Sequence, residues 1–153
     1  MRRFSALLMA TGLVACGGGD NAADDVVEVE GVPAGIALAD VAGSWNLTGT
    51  PEMEPFTPTS IAYSMTATDS EYGWTITFPE QDPLDIRIIA VEGDSIVVEA
   101  GPFESVIRDG VMVSTRTVMR LEDGMLVGTF LATYETDPVE TLAGTVEGTR
   151  AMP

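Results

Sequence analysis

From Val41 to the C-terminus, apolar and polar residues alternate with a period of two. That is the spacing of a strand with one face in a core and the other in water. β-Branched and aromatic residues fill these runs, and turn-forming residues interrupt them about every ten residues. Eight runs result, over 42–49, 60–68, 72–79, 84–92, 95–101, 111–121, 125–135 and 139–150. No stretch carries a convincing helical period. Eight short-connected strands predict an all-β, antiparallel, up-and-down barrel, with a two-sheet sandwich as the alternative.

One hairpin can be registered by counting. Asp123-Gly124 favours a two-residue turn with φ > 0 at both positions. Glu122 then pairs with Met125, Met119 faces Gly128, Thr117 faces Phe130, Thr115 faces Ala132 and Val113 faces Tyr134. This face, which also holds Leu121 and Leu126, is mostly apolar and is assigned to the core. Ser114, Arg116, Arg120, Thr129, Thr133 and Glu135 fall on the other face, towards solvent. The same parity groups Tyr72, Trp74, Ile76 and Phe78 on one face, and Ile61, Tyr63 and Met65 on another. Arg87 is ambiguous. Its own strand sets it outside, opposite Leu84, Ile86 and Ile88, whereas a two-residue turn at 93–94 would put it beside Ile96 and Val98.

The first residues follow a different pattern. Met1-Arg2-Arg3 precedes a short apolar run from Phe4 to Ala10, the build of a secretory signal and too short for the roughly 20 residues a bilayer span needs. Leu13-Val14-Ala15-Cys16 resembles the lipobox of bacterial prelipoproteins: a small residue for the peptidase, then the thiol that accepts the lipid. The resemblance implies cleavage before Cys16, a diacylglyceryl thioether on it, and usually a third acyl chain on its amine. Two or more chains hold a protein stably to a membrane where one does so only marginally. In that family an Asp after the Cys favours inner-membrane retention, so Gly17 implies the outer membrane, facing the periplasm or the cell surface. The expected organisation is a signal over 1–15, a lipidated Cys16 with a flexible Gly- and acid-rich linker over 16–40, and a barrel over 41–153.

Composition narrows the chemistry. The chain has no His, its single Cys is the proposed lipid site, and its seven basic residues are all Arg. Ser-His-Asp, Cys-His and Schiff-base Lys chemistry therefore cannot be built, and zinc or copper sites lack their usual ligands. Only carboxylate or hard-cation chemistry remains. Asp20, Asp24 and Asp25 cluster in the linker without the order of a calcium loop, so no metal or cofactor site is assigned. No carboxylate pair stands at a defined inward spacing, and the chain is read as a non-enzyme. The formal charge is −17, and loss of Arg2 and Arg3 would lower it by two more, so nucleic acid and anionic surfaces are repelled.

Ala42-Gly43-Ser44-Trp45, opening the first domain strand, resembles the Gly-x-Trp motif of lipocalins and the wider calycin group, which includes avidins and fatty-acid-binding proteins. In that group the Trp packs against a basic residue near the end of the last strand, and Arg150 occupies such a place here. A guanidinium on an indole face gains about 0.5–2 kcal/mol. The resemblance implies barrel closure by Gly43, Trp45 and Arg150. It also implies a first loop capping the mouth, with Met53 and Phe56 packed over it, and a ligand cavity lined by Tyr63, Trp74, Phe130 and Tyr134. The cargo of so acidic a chain would be apolar and neutral or cationic, unless Arg87 turned inward with Asp85 or an anionic head group. Two functions compete. Abundant inward apolar residues favour a filled barrel acting as a structural or interaction module at the cell envelope; the alternative is a binder of one small apolar ligand. The anchor has a direct test. Cys16→Ala should abolish fatty-acid labelling and block signal cleavage, and equal label in wild type and variant would remove the lipoprotein assignment.

Overall fold

A computed structural model describes residues 35–52 and 59–152. Its strands are β1 (Gly43–Pro51), β2 (Ile61–Ala67), β3 (Thr75–Thr77), β4 (Leu84–Glu92), β5 (Ser95–Glu104), β6 (Met112–Glu122), β7 (Met125–Tyr134) and β8 (Glu140–Arg150). Each strand pairs antiparallel with the next, and β1 pairs with β8, so the meander closes into one eight-stranded barrel rather than a sandwich. The signal, Cys16, most of the linker, Met53 and Phe56 lie outside the described residues. Residues 35–41, at the end of the stretch read as linker, carry a one-turn helix, α1 (Leu38–Val41). Ile36 N–H donates to the Gly93 carbonyl at 2.8 Å, holding this segment against the β4–β5 turn.

The β6–β7 register is the one counted from the sequence, from Glu122 opposite Met125 to Val113 opposite Tyr134. Asp123 and Gly124 have φ of 50° and 81°, as that type of tight turn requires. Arg116 and Arg120 point outward. Arg87 also points outward, although the turn at 93–94 is indeed two residues long, with Glu92 opposite Ser95. A bulge between Ile88 and Ala90 accounts for this. It shifts the register so that Ile88 faces Val98 and Arg87 faces Glu99. One extra residue inverts parity beyond it, so Ile86 and Ile88 point inward despite the turn.

The third run differs most from its expected extent. Strand β3 holds only Thr75–Thr77, because residues 68–74 form a loop of local bonds in which the Thr68 hydroxyl donates to the Tyr72 carbonyl at 2.5 Å. Trp74, Ile76 and Phe78 are buried as grouped, but Tyr72 is 80% exposed and leaves that face.

Inside, Trp45, Trp74, Tyr134, Met65, Ile96, Leu126, Val41 and Val146 are the largest fully buried side chains. Charged residues stay on outer faces and at the ends, the reverse of a barrel whose outer wall meets lipid. Glycines on the inward face of β8 make room for large neighbours. A Cβ on Gly144 would fall within the Phe130 ring, and one on Gly148 would meet the Leu47 side chain. Gly144→Val should therefore displace the ring and destabilise the barrel by about 1–3 kcal/mol, the usual cost of overpacking. Thermal unfolding by circular dichroism would show this; an unchanged midpoint would mean that Phe130 does not need the space.

Candidate functional site

The two ends of the barrel are built differently. At one end lie the turns β2–β3, β4–β5 and β6–β7 together with α1. Trp45 is 0% exposed there, and its Nε1–H donates to the Val41 carbonyl at 2.8 Å. Arg150 is directly opposite Trp45 in the β1–β8 ladder. Its guanidinium carbon lies 4.5 Å from the Trp45 ring centroid, while Nη1 donates to the Ala42 carbonyl at 2.8 Å and Nη2 to the Asp40 carbonyl at 2.6 Å. Three successive carbonyls at the end of α1, which the helix itself cannot satisfy, are thus met by two side chains. Gly43 has φ +130°, and a Cβ there would lie 3.0 Å from the Arg150 Nη1. The structure thus brings Gly43, Trp45 and Arg150 into one cluster.

At the other end the barrel encloses a cavity of about 90 Å³. Its origin is a row of small side chains. Ala100, Thr115 and Ala132 are neighbours at one level on β5, β6 and β7, flanked by Ile86 and Leu142. The next level down carries Val98, Thr117 and Phe130. Three adjacent strands that present Ala or Thr, where the level above presents Phe103, Val113 and Tyr134 and the level below presents Phe130, leave the interior incompletely filled. Tyr63, Phe130 and Tyr134 all line the cavity. Trp74 does not. It is 1% exposed and its Nε1–H donates to the Ser70 carbonyl at 2.9 Å, because it precedes β3 at the closed end and plugs the barrel there. The Tyr63 ring lies tilted at 5.1 Å from Phe78, which stacks at 5.5 Å on Phe103, and burial pushes the Tyr63 hydroxyl above the usual phenol range.

The loop between β5 and β6 folds across this end. The hydroxyl of Ser105, itself buried, accepts from the backbone N–H groups of Ile107 and Arg108, both at 3.2 Å. Val106 and Ile107 are thereby turned towards the cavity. The Arg108 guanidinium carbon sits 4.1 Å from the Tyr134 ring centroid, and Arg108 ion-pairs with Glu140. Nothing in the alternation pointed to Arg108, which sits in an Arg-Asp-Gly turn with no strand parity to orient it.

Outside, Glu99 bridges Arg87 at 3.0 Å and Arg116 at 2.9 Å, and Arg120 pairs with Glu122. Such exposed pairs contribute at most about 1 kcal/mol each. Among the described residues no group of three or more Asp or Glu side chains is gathered to hold a metal ion. Comparison with protein-family models, with curated proteins and with solved structures finds no match. What the chain shows is its class, a closed eight-stranded antiparallel barrel with one end plugged and a small apolar cavity at the other.

The closed end yields a stability prediction. Arg150→Ala removes the stacking and two hydrogen bonds to carbonyls, so it should cost about 2–3 kcal/mol in urea unfolding. Arg150→Lys should restore only part, since an ammonium lacks the planar fork that reaches both carbonyls. Arg116→Ala, on the outer face, should stay within about 0.5 kcal/mol of wild type. Equal effects of the two Ala variants would overturn the latch.

Proposed function

We propose that the protein is a lipid-anchored cell-envelope protein whose barrel takes one small apolar molecule into the cavity at the end opposite Trp45. The anchor rests on Leu13-Val14-Ala15-Cys16 and the basic, apolar start that precedes it. The binding function rests on one observation, the apolar cavity of about 90 Å³ beneath the β5–β6 loop. An apolar cavity of about 150 Å³ takes benzene, so a space of about 90 Å³ suits a guest no larger than a single small ring, and the aromatic rings of Tyr63, Phe130 and Tyr134 offer contact area to it.

The volume also limits the guest. Pockets for larger metabolites begin at about 300 Å³, so a bulky ligand does not fit. The same limit favours a second reading, in which the barrel is a rigid structural or interaction module held at the envelope by Cys16 and the cavity is a packing remnant.

Met65 and Met119 both line the cavity, and their methyl groups report directly on it. In the full chain, toluene should shift these two methyl resonances saturably. Ala132→Leu should fill the space, abolish the shifts, and leave the unfolding midpoint equal or higher. A folded wild-type chain whose Met65 and Met119 signals stay unmoved up to the solubility of toluene would leave the module reading in place.

A further inference from the structure

The cavity wall is not uniformly apolar. Thr115 and Thr117, two residues apart on β6, point to the same side of their strand and both line the cavity. Neither hydroxyl has a side-chain hydrogen-bond partner among the described residues. Tyr63 lines the opposite wall, on β2, four strands away around the barrel. No Asp, Glu or Arg among the described residues lines the cavity. Beside the cavity-lining Tyr134 ring, Arg108 is paired with Glu140.

From this arrangement, and resting on the ligand-binding reading above, we infer that the cavity selects an uncharged molecule with an apolar body and one hydroxyl or carbonyl group, which bonds to the Thr115–Thr117 pair. A hydroxyl can donate to or accept from either Thr. A carboxylate or ammonium brought into the same space would lose its hydration with no opposite charge to replace it. Arg108 is outside the cavity lining and is already paired with Glu140. The Thr pair itself points to a polar guest. At inward strand positions Val would fill the same volume without presenting a hydroxyl to a guest.

Four probes of similar size separate the possibilities: toluene, benzyl alcohol, benzoate and benzylammonium, each titrated into the full chain at pH 7 and followed by the Met65 and Met119 methyl signals. Benzyl alcohol should bind about fivefold more tightly than toluene, and the two ions at least about a hundredfold more weakly than the alcohol. In Thr115→Val/Thr117→Val the alcohol should fall to the affinity of toluene while toluene itself holds or gains. The double variant should fold, since Val is a strong strand former, and an unchanged or raised unfolding midpoint would verify that. Equal binding of toluene and benzyl alcohol to wild type, an alcohol preference that survives in the double variant, or binding of either ion as tight as the alcohol would overturn the inference and leave the cavity-binding reading standing. Failure of all four probes, toluene included, would remove both.

Discussion

The barrel depends on one contact, the stacking of Arg150 on Trp45. A meander of eight strands leaves two edges, β1 and β8, each with unpaired backbone groups, and a closed barrel exists only if those edges meet. Trp45 and Arg150 are direct partners in that last ladder. The indole supplies apolar volume at the end of the core. The guanidinium covers its outer face and turns two of its N–H groups to the carbonyls of Asp40 and Ala42, while the indole N–H takes Val41. A single cluster thus closes the sheet, plugs one end and fixes the one-turn helix that leads into β1. Arg suits this place because it stays charged and planar throughout the accessible pH range.

Closure at that end determines where open space can be. With Trp45, Trp74, Ile96, Leu126 and Val146 packed there, small residues are matched to large ones, as Gly148 is to Leu47. Towards the other end the matching stops at Ala100, Thr115 and Ala132, and a cavity remains. The same kind of contact recurs above it, Arg108 on Tyr134, but with different consequences. Arg150 bonds to backbone carbonyls of an element it holds shut. Arg108 is tied to a surface carboxylate, Glu140, and sits on a loop. One end is locked by backbone; the other is held by exposed side chains.

Much of this was legible in the sequence, for reasons that particular residues make plain. The period-two pattern marked eight strands because one-sided burial imposes it. Asp123-Gly124 fixed a register because few residue pairs tolerate two positive φ values. The Gly43, Trp45 and Arg150 cluster could be named only because Gly43-x-Trp45 resembles the calycin motif, which pairs such a Trp with a basic residue near the end of the last strand. What could not be read depended on interactions that leave no periodic trace. The bulge at Ile88–Ala90 inverts the parity of Arg87 without any glycine or proline to announce it. Trp74 sits on the correct face of its run, yet the loop bonds of Thr68 and Ser70 delay the start of β3 and place it at the plugged end, not in the cavity. The one-turn helix at Leu38–Val41 is too short to carry a helical period. Arg108 acquires its role only from the folding of the loop around Ser105.

The charge distribution follows from the same architecture and bears on what the cavity can hold. The chain has 24 acidic residues and seven basic ones, and Arg150 is the one that closes the barrel among the described residues. The remaining guanidiniums are used outside, where Glu99 draws Arg87 and Arg116 together across three strands, and at the mouth, where Arg108 meets Glu140. Among the described residues, the polar side chains lining the cavity are hydroxyls, on Thr115, Thr117, Ser105, Tyr63 and Tyr134. Of these, the Ser105 hydroxyl is already occupied by two backbone N–H groups of its own loop. An uncharged interior with a few hydroxyls favours a neutral guest, and a strongly negative exterior does not disturb it, because neutral molecules cross such a field without penalty.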